Sequence, residues 1–321
     1  MRKKIKAKHT KLDAFFTVLL IALILYTVLM FGLFLLGINI SLKQYLDVET
    51  DGNIFGLPNM KWWSLDRQYP NNIFGNFIYA VNNIRLDLYK SYIVGLFTQE
   101  RVNAPIRADI LSSTVNTFIY AGGSALVAAF MPMYMGYLCA MYRNKVAGFL
   151  YALVLFVIAT PIVGAMPSTI NLMRSLRLYN TFIGEFLRRA SFTNIYFLIF
   201  FAYFRGLSSG YGEAAEIDGA SQFSVMFRIY IPLAANIFFT VFLILFVNFW
   251  NDFTTPMMYL PSKPTLSYAI YYTTTLDSGS AFNHATRRMA ALMVFAIPII
   301  LIFSVFNKKL MTNLTMGGMK E

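Results

Sequence analysis

Charged residues are scarce in this 321-residue sequence. Asp, Glu, Lys and Arg make up 13% of it, about half of what an average soluble domain carries, whereas hydrophobic residues make up 57%. The mean hydropathy is +0.56. This balance excludes an ordinary soluble domain and predicts an all-α protein that crosses the membrane several times.

Cysteine and histidine are almost absent as well. The single cysteine, Cys139, excludes an intrachain disulfide, and two histidines, His9 and His284, cannot build a metal site alone. No stretch matches Gly-x-x-x-x-Gly-Lys-Ser/Thr, the loop that cradles the phosphates of a nucleotide. We therefore expect no catalytic residue, no metal and no cofactor in this chain, and predict that it is not an enzyme.

The apolar residues are gathered into six runs, each of which predicts a transmembrane helix. The first, from 14 to 40, follows a basic N-terminus, so we expect a retained span with residues 1–13 in the cytoplasm near anionic lipid. The others extend over about 115–141, 146–172, 191–204, 233–250 and 289–306. The fourth run is short for a span. None of the six contains Asp, Glu, Lys or Arg.

These runs divide the chain into five regions. We expect residues 1–13 to form a cytoplasmic N-terminus, 14–40 the first span, 41–107 an extracytoplasmic region, 108–307 a five-helix core and 308–321 a cytoplasmic tail. The region 41–107 is polar and rich in aromatic residues, and we predict that it is partly helical near Phe77–Phe97. Its length suits contact with another protein or packing on the outer face of the core, and the sequence leaves both open.

One polar stretch interrupts the apolar runs, from Glu213 to Pro232. Its first part is dense in small residues, so another protein could approach this backbone closely. Gly219 can bend a helix or adopt dihedrals that other residues avoid, and Asp218 or Ser221 could cap a helix that restarts after it. Pro232 suits the first turn of the next helix. Beyond the bend, apolar residues at helical spacing predict one stripe on a second short helix, formed by Phe223, Met226, Phe227, Tyr230 and Ile231.

The order Glu-Ala-Ala, three residues, Gly and a distal Ile-x-x-Pro resembles the cytoplasmic loop of the permease subunits of bacterial ABC importers. The fuller Ile-Asp-Gly-Ala-Ser resembles the carbohydrate-uptake branch. The resemblance implies that residues 208–232 form a coupling loop between the fourth and fifth spans, which docks on an ATPase subunit. It implies the following partner-binding residues: Glu213, Ala214, Ala215, Asp218, Gly219, Ala220, Ser221, Phe227 and Pro232. A short amphipathic helix lying on the bilayer is the alternative interpretation.

Two further segments carry the same resemblance. Trp250–Phe253 is similar to a family signature at the outer end of the fifth span, and Thr315–Glu321 resembles the carboxyl end of the second permease of maltose-type importers. There the tail reaches between the ATPase subunits, which implies ATPase contacts for Gly317, Gly318 and Lys320. Two glycines near a terminus are equally typical of a disordered end.

The resemblance implies a permease subunit of an ATP-driven importer in the bacterial inner membrane, with both termini in the cytoplasm. Such a subunit forms half of the pathway for a carbohydrate, in particular an oligosaccharide. The implied partners are a second permease in a heterodimer, two ATPase subunits, an extracytoplasmic binding protein and membrane lipid, but no nucleic acid.

The residues alone leave one alternative function, a secondary transporter driven by an ion gradient. Such proteins place charged residues inside their spans as proton relays or ion ligands, and the six runs contain none. Sodium sites built from backbone carbonyl groups are still compatible with this sequence.

Overall fold

The computed structural model describes residues 14–84, 86–89, 105–142, 144–160, 164–276 and 282–316. Helices dominate these residues, as the composition predicts, and one antiparallel pair of short strands is added to them. The described chain forms two compact units. One contains the residues up to Val81 and from 282 to Val294, and the other contains Asn82 to 276 and Phe295 to 316.

The first unit is built on helix α1, Ala14–Ser41, whose side chains are apolar on every face. Three short helices follow it: α2 Tyr45–Glu49, α3 Met60–Ser64 and α4 Gly75–Asn83. They close the carboxyl end of α1, where backbone carbonyl groups lack helical partners. Trp63 donates its indole N–H to Leu42 O at 3.0 Å, and Asn76 Nδ2 donates to Ser41 O at 2.9 Å and Lys43 O at 2.6 Å.

The region predicted to be partly helical near Phe77–Phe97 is helical up to Asn83. Helix α4 ends there, and strand β1, Leu86–Tyr89, pairs antiparallel with β2, Pro105–Ala108. Two consecutive asparagines, Asn82 and Asn83, are poor helix formers and explain the stop. Each strand contains four residues, so the described chain is still predominantly helical; residues 90–104 lie outside it.

The second unit is organised around helix α5, Ile110–Met141, which packs against α9, Ile195–Arg205, and α13, Ala235–Asn251. Small residues let the helices approach each other closely, as is usual in membranes. A Cβ added at Gly136 would lie 3.0 Å from the backbone nitrogen of Phe201. Five alanines of α5 are buried along the same helix: Ala121, Ala125, Ala128, Ala129 and Ala140.

The predicted third span is not one helix. Helix α6, Lys145–Ala159, ends before Thr160, which is extended at φ −91° and ψ 116°. A residue that precedes proline avoids the helical region, and Pro161 follows here. Helix α7, Met166–Ser175, then begins with Pro167 in its first turn, and residues 161–163 lie outside the described chain. Helix α8, Phe182–Arg189, was not predicted.

The remaining elements follow in chain order. They are α10 Gly210–Ile217, α11 Gln222–Val225, a π-helical turn Met226–Tyr230, α12 Ile231–Leu233, α13, α14 Thr254–Tyr259, α15 Leu266–Tyr271, a second π-helical turn Tyr272–Leu276 and α16 Ala285–Met316.

Three of the described helices are long and apolar enough to cross a membrane, within Phe15–Ser41, Ile110–Met141 and Ala285–Ile302. A fourth span results if Gln222–Leu233 and Ala235–Asn251, which meet at 67°, are counted as one. Helices α6 and α9 are apolar but shorter. The chain is therefore a membrane protein with three or four full-length candidate spans among its described residues.

Candidate functional site

The predicted coupling loop, residues 208–232, begins with helix α10 and turns sharply at a glycine. Asp218 ends the helix, and Gly219 follows with φ +84°. The Gly219 N–H donates to Glu216 O at 3.0 Å and the Ala220 N–H donates to Ala215 O at 2.9 Å. These paired bonds form a Schellman motif, in which glycine is favoured because its φ is positive. The dihedral freedom predicted for Gly219 is confirmed.

A second helix restarts two residues later, as predicted, with Ser221 as its cap. Ser221 is extended, and its Oγ accepts a hydrogen bond from the Ser224 N–H at 3.3 Å. Gln222 ties the two helices together, because its Nε2 donates to Glu216 Oε1. Its Oε1 accepts from the Tyr142 hydroxyl at 3.1 Å. Asp218, the other predicted cap, lies at the carboxyl end of α10 instead.

The predicted single apolar stripe is wrong. The π-helical turn Met226–Tyr230 adds a residue to one turn, so it rotates the residues after it relative to the residues before it. Met226 and Tyr230 are buried, together with Val225, whereas Phe223 is 68% exposed and pairs with the exposed Phe227. The centroids of these two phenyl rings lie 4.5 Å apart. The helix therefore has one face in the core and a separate aromatic pair on the surface.

The buried face is anchored in the helical core of the second unit. The ring of Tyr230 lies 5.4 Å from that of Tyr137 in α5, which lies 5.5 Å from Phe204 in α9. The Tyr230 hydroxyl donates to Ser208 O at 3.3 Å, and Gly212 packs so closely that an added Cβ would lie 3.2 Å from that hydroxyl. The beginning and the end of the loop are thus fixed to each other and to α5.

The structure brings some predicted site residues together and separates others. Asp218, Gly219, Ala220, Ser221 and Phe227 line one shallow depression, which Phe223, Ser224 and Arg228 complete. No atom of the described residues lies within 4 Å of the position that a Cβ would take at Gly219.

Other predicted residues lie elsewhere on the loop. Glu213, Ala214 and Ala215 lie on α10, and Pro232 lies in the first turn of α12, outside this depression. Gly317, Gly318 and Lys320 lie outside the described chain.

The second unit contains a buried ionic cluster that was not predicted from the sequence. The Glu185 side chain is 0% exposed, and its Oε1 accepts from Arg188 Nη2 at 2.6 Å and from Arg189 Nε at 2.8 Å. Arg189 Nη2 donates to the Tyr120 hydroxyl at 3.0 Å and lies 3.4 Å from Asp252 Oδ2. The Tyr120 hydroxyl donates to Asp252 Oδ2 at 2.9 Å. Helices α5 and α8 and the end of α13 meet at this cluster.

The charges of the cluster balance, since two arginines face two carboxylates. Burial opposes the charged form of Arg188, but its hydrogen bonds and ion pair with Glu185 outweigh that effect and raise the pKa of Arg188 above its usual range. The spacing of Glu185 from Arg188 and Arg189 was the available sequence signal. The signature residue Asp252 lies 63 positions from Arg189, so its role depends on the fold.

Metal binding finds no support in the described chain, where no group of three His, Cys, Asp or Glu side chains is placed to hold an ion. The site of interest is thus a surface formed by a bent, well-anchored loop. It offers small residues, an open backbone at Gly219 and an aromatic pair, and its chemistry suits docking of another protein.

Comparison with known proteins identifies the family. Residues 132–314 match the model of the binding-protein-dependent transport system inner membrane component. The arabinooligosaccharides transport system permease protein AraQ of Bacillus subtilis is 28% identical over 237 residues, which cover 68% of this chain and 83% of that protein. The sulfoquinovosyl glycerol transport system permease protein SmoH of Agrobacterium fabrum is 25% identical over 208 residues, covering 64% and 72%.

The fold is also found in a solved structure. The crystal structure of a bacterial ABC transporter involved in the import of the acidic polysaccharide alginate contains a chain with a TM-score of 0.69 and 17% identity, over 94% of this chain and 99% of that one. The matched family region contains the predicted coupling loop and more than half of the sequence. The chain therefore belongs to the family of inner membrane components of binding-protein-dependent transport systems.

Proposed function

We propose that this chain is a permease subunit that forms half of the translocation pathway of an ATP-driven carbohydrate importer. The observation that carries the proposal is the predicted coupling loop, a surface that is exposed on one side and anchored on the other. Glu213, Ala214 and Asp218–Ser221 are accessible or half-accessible, whereas Met226 and Tyr230 are buried behind them. Such a loop can receive a partner and transmit its movement.

Docking on an ATPase is supported by the shape of the loop. The open backbone at Gly219 lets another surface approach closely, and the exposed Phe223–Phe227 pair provides aromatic anchors of the kind that dominate protein interfaces. Glu213 is exposed in the first turn of α10 and can pair with a basic group of the partner. We propose two ATPase subunits per transporter, one of which contacts this loop.

Transmission is supported by the packing behind the loop. Tyr230 contacts Tyr137 in α5, and Tyr137 contacts Phe204 in α9, so a displacement of the loop acts directly on two core helices. Interiors this closely packed shift as bodies and do not deform continuously. We therefore propose that α5 and α9 move with the loop when the ATPase changes state.

The proposed arrangement has six spans, with both termini, residues 1–13 and 308–321, in the cytoplasm. Helices α6 and α9 contain 15 and 11 residues. They are therefore about 22 Å and 16 Å long against a hydrocarbon core of about 30 Å, and as spans they need neighbouring residues to complete the crossing. We place 41–107 outside the cell and 108–307 as the core that contains the predicted coupling loop. The tail residues Gly317, Gly318 and Lys320 would reach the ATPase side.

Carbohydrate is the proposed substrate class because relatives carry it in their names. AraQ is an arabinooligosaccharides transport system permease protein, and another relative, MelC of Bacillus subtilis, is a melibiose/raffinose/stachyose import permease protein. We infer an oligosaccharide, delivered by an extracytoplasmic binding protein to a heterodimer of this chain and a second permease.

The test is reconstitution. Proteoliposomes containing this chain, its second permease and the ATPase should take up sugar only with binding protein outside and ATP inside. Vesicles with this chain alone should show no uptake. Uptake by the single chain in response to a proton or sodium gradient would contradict the proposal and favour a secondary transporter.

A further inference from the structure

The loop Asn53–Leu57 exposes large apolar side chains beside the carboxyl end of α1. Phe55 is 81% exposed and Leu57 is 84% exposed, and Ile54 is exposed as well. Adjacent apolar side chains that project outward mark a contact with another apolar phase or protein. The loop is therefore a candidate for insertion into an apolar environment outside this chain.

The backbone of this loop is satisfied in an unusual way. Its five consecutive carbonyl groups all accept hydrogen bonds from side chains. Asn39 Nδ2 donates to Phe55 O at 3.3 Å and Gly56 O at 2.9 Å. Lys43 Nζ donates to Asn53 O at 2.6 Å and Ile54 O at 2.9 Å.

The fifth carbonyl is satisfied within the loop, since Asn53 Nδ2 donates to Leu57 O at 2.9 Å. Water would satisfy these carbonyl groups in an ordinary surface loop, so five side-chain donors are not required there. In contact with hydrocarbon each unpaired carbonyl costs several kcal/mol, and such pairing becomes necessary.

The position of the loop fits the boundary of the membrane. The candidate span of α1 begins at Phe15, and Asn39 lies 24 residues after it. That distance is about 36 Å along the helix against a hydrocarbon core of about 30 Å, so Asn39 reaches the interface. Trp62 donates its indole N–H to Asp51 Oδ2 at 2.6 Å, and Lys61 Nζ lies 5.5 Å from its ring centroid. A tryptophan between charged groups is typical of this interface.

An open groove continues from the loop onto α1. Phe55 forms one wall, and residues of α1 form the rest: Leu29, Gly32, Leu33, Leu35, Leu36 and Asn39. The floor is open at Gly32, where an added Cβ would meet no atom within 4 Å in the part of the chain that the structure describes. None of the apolar window of α1 is buried by the described chain. The groove is thus continuous with the apolar surface of α1 that the described chain leaves uncovered.

We propose that Asn53–Leu57 is an interfacial anchor that binds membrane phospholipid in the leaflet around the carboxyl end of α1. Phe55 and Leu57 insert among the acyl chains, and one acyl chain occupies the groove between Phe55 and Leu29–Leu36. Asn39 and Lys43 hold the loop in the inserting conformation by satisfying its carbonyl groups. The anchor fixes the short helices of the first unit at a defined depth, and it does not depend on the identity of the transported substrate.

The test uses nitroxide labels on the full chain in the assembled transporter, reconstituted in phosphatidylethanolamine–phosphatidylglycerol vesicles. Phe55→Cys and Leu57→Cys are made in a Cys139→Ser background, with the exposed Gln68→Cys as the matched control on the same unit. The spin relaxation of each nitroxide caused by oxygen, which concentrates in lipid, is compared with the relaxation caused by a water-soluble nickel chelate. We expect the ratio of oxygen to nickel relaxation to be several-fold higher at 55 and 57 than at 68.

Two results would overturn the anchor. A ratio at 55 and 57 equal to that at 68 would place the loop in water. Immobile labels protected from both reagents would show that another protein subunit covers it. Adding Asn39→Ala to Phe55→Cys should release the loop and lower the ratio at position 55, which a passive apolar patch would not show.

Discussion

Glu185 illustrates how a single residue can organise this membrane fold. Its carboxylate is fully buried and accepts hydrogen bonds from two arginines that are about a fifth exposed, at 22% and 20%. Arg189 then extends the cluster to Tyr120 and Asp252 on other elements. Removing one partner of such a pair leaves the remaining charges buried without compensation. The resulting loss of stability is much larger than the net stabilisation that the intact pair provides.

Glu185→Gln is therefore expected to destabilise the protein by about 2–4 kcal/mol, below the range for fully buried pairs because both arginines reach solvent. The control is Glu49→Gln, which removes an exposed pair with His284 and should cost less than about 1 kcal/mol. Thermal unfolding of both variants in detergent is the measurement. Equal unfolding temperatures for the two variants would contradict a structural role for the cluster.

At the scale of elements, the helix after Gly219 has a buried face and a separate exposed face. The π-helical turn directs Met226 and Tyr230 into the core and leaves Phe223 and Phe227 on the surface. A regular amphipathic helix would place all four on one stripe. The turn therefore separates residues that hold the loop from residues that can contact a partner.

Substitutions on the two faces should give opposite results. Phe223→Ala and Phe227→Ala remove exposed rings, so stability should be almost unchanged, while the affinity for the ATPase falls about tenfold or more if the pair is an interface anchor. Met226→Ala opens a cavity and should lower stability by about 2–5 kcal/mol. Unfolding temperature and ATPase co-purification are measured for each variant. Loss of stability without loss of binding in the Phe223 variant would contradict this division.

The sequence was sufficient for features that depend on local chemistry. Gly219 and Ser221 could be predicted because a positive φ and a helix cap are set by neighbouring residues. The apolar run that became α1 could be recognised for the same reason.

Other features depend on residues far apart in the chain. Asp252 meets Tyr120 over 132 positions, and no local pattern indicates that pairing. The strands β1 and β2 are joined across a long connection. Met226 and Tyr230 of the π-helical turn belong to the same core cluster as residues of α5 and α9, and this long-range packing is not visible in the local helical period.

At the scale of the whole molecule, the proposed topology places two surfaces on opposite sides of the membrane. Lys61 on α3 should face outside, and Ser221 in the predicted coupling loop should face the cytoplasm; both are exposed. We expect Lys61→Cys to react with a membrane-impermeant maleimide in cells with a permeabilised outer envelope, and Ser221→Cys to react only after the inner membrane is opened. A Cys139→Ser background removes the single native thiol. The reverse labelling pattern would invert the topology.

The coupling proposal also determines what a side chain at Gly219 should do. Among the described residues an added Cβ meets nothing within 4 Å, so the intrachain cost that we expect is that of the positive φ, of order 1–3 kcal/mol. Gly52 is a matched control, because it too has a positive φ, +63°, and open space around its Cβ position. Gly219→Asp and Gly52→Asp therefore strain the backbone alike, and they differ in the surface that they alter.

Co-purification of the ATPase with these two variants is the most direct measurement of whether residues 208–232 couple this permease to ATP hydrolysis. Both variants should insert in the membrane at the level of the unsubstituted chain. Gly219→Asp should retain about a tenth or less of the bound ATPase, and transport should fall with it, since a penalty of about 1.4 kcal/mol at a docking surface is a tenfold loss of affinity. Gly52→Asp should retain both. Full ATPase binding and transport by Gly219→Asp would contradict the proposed coupling role of this loop.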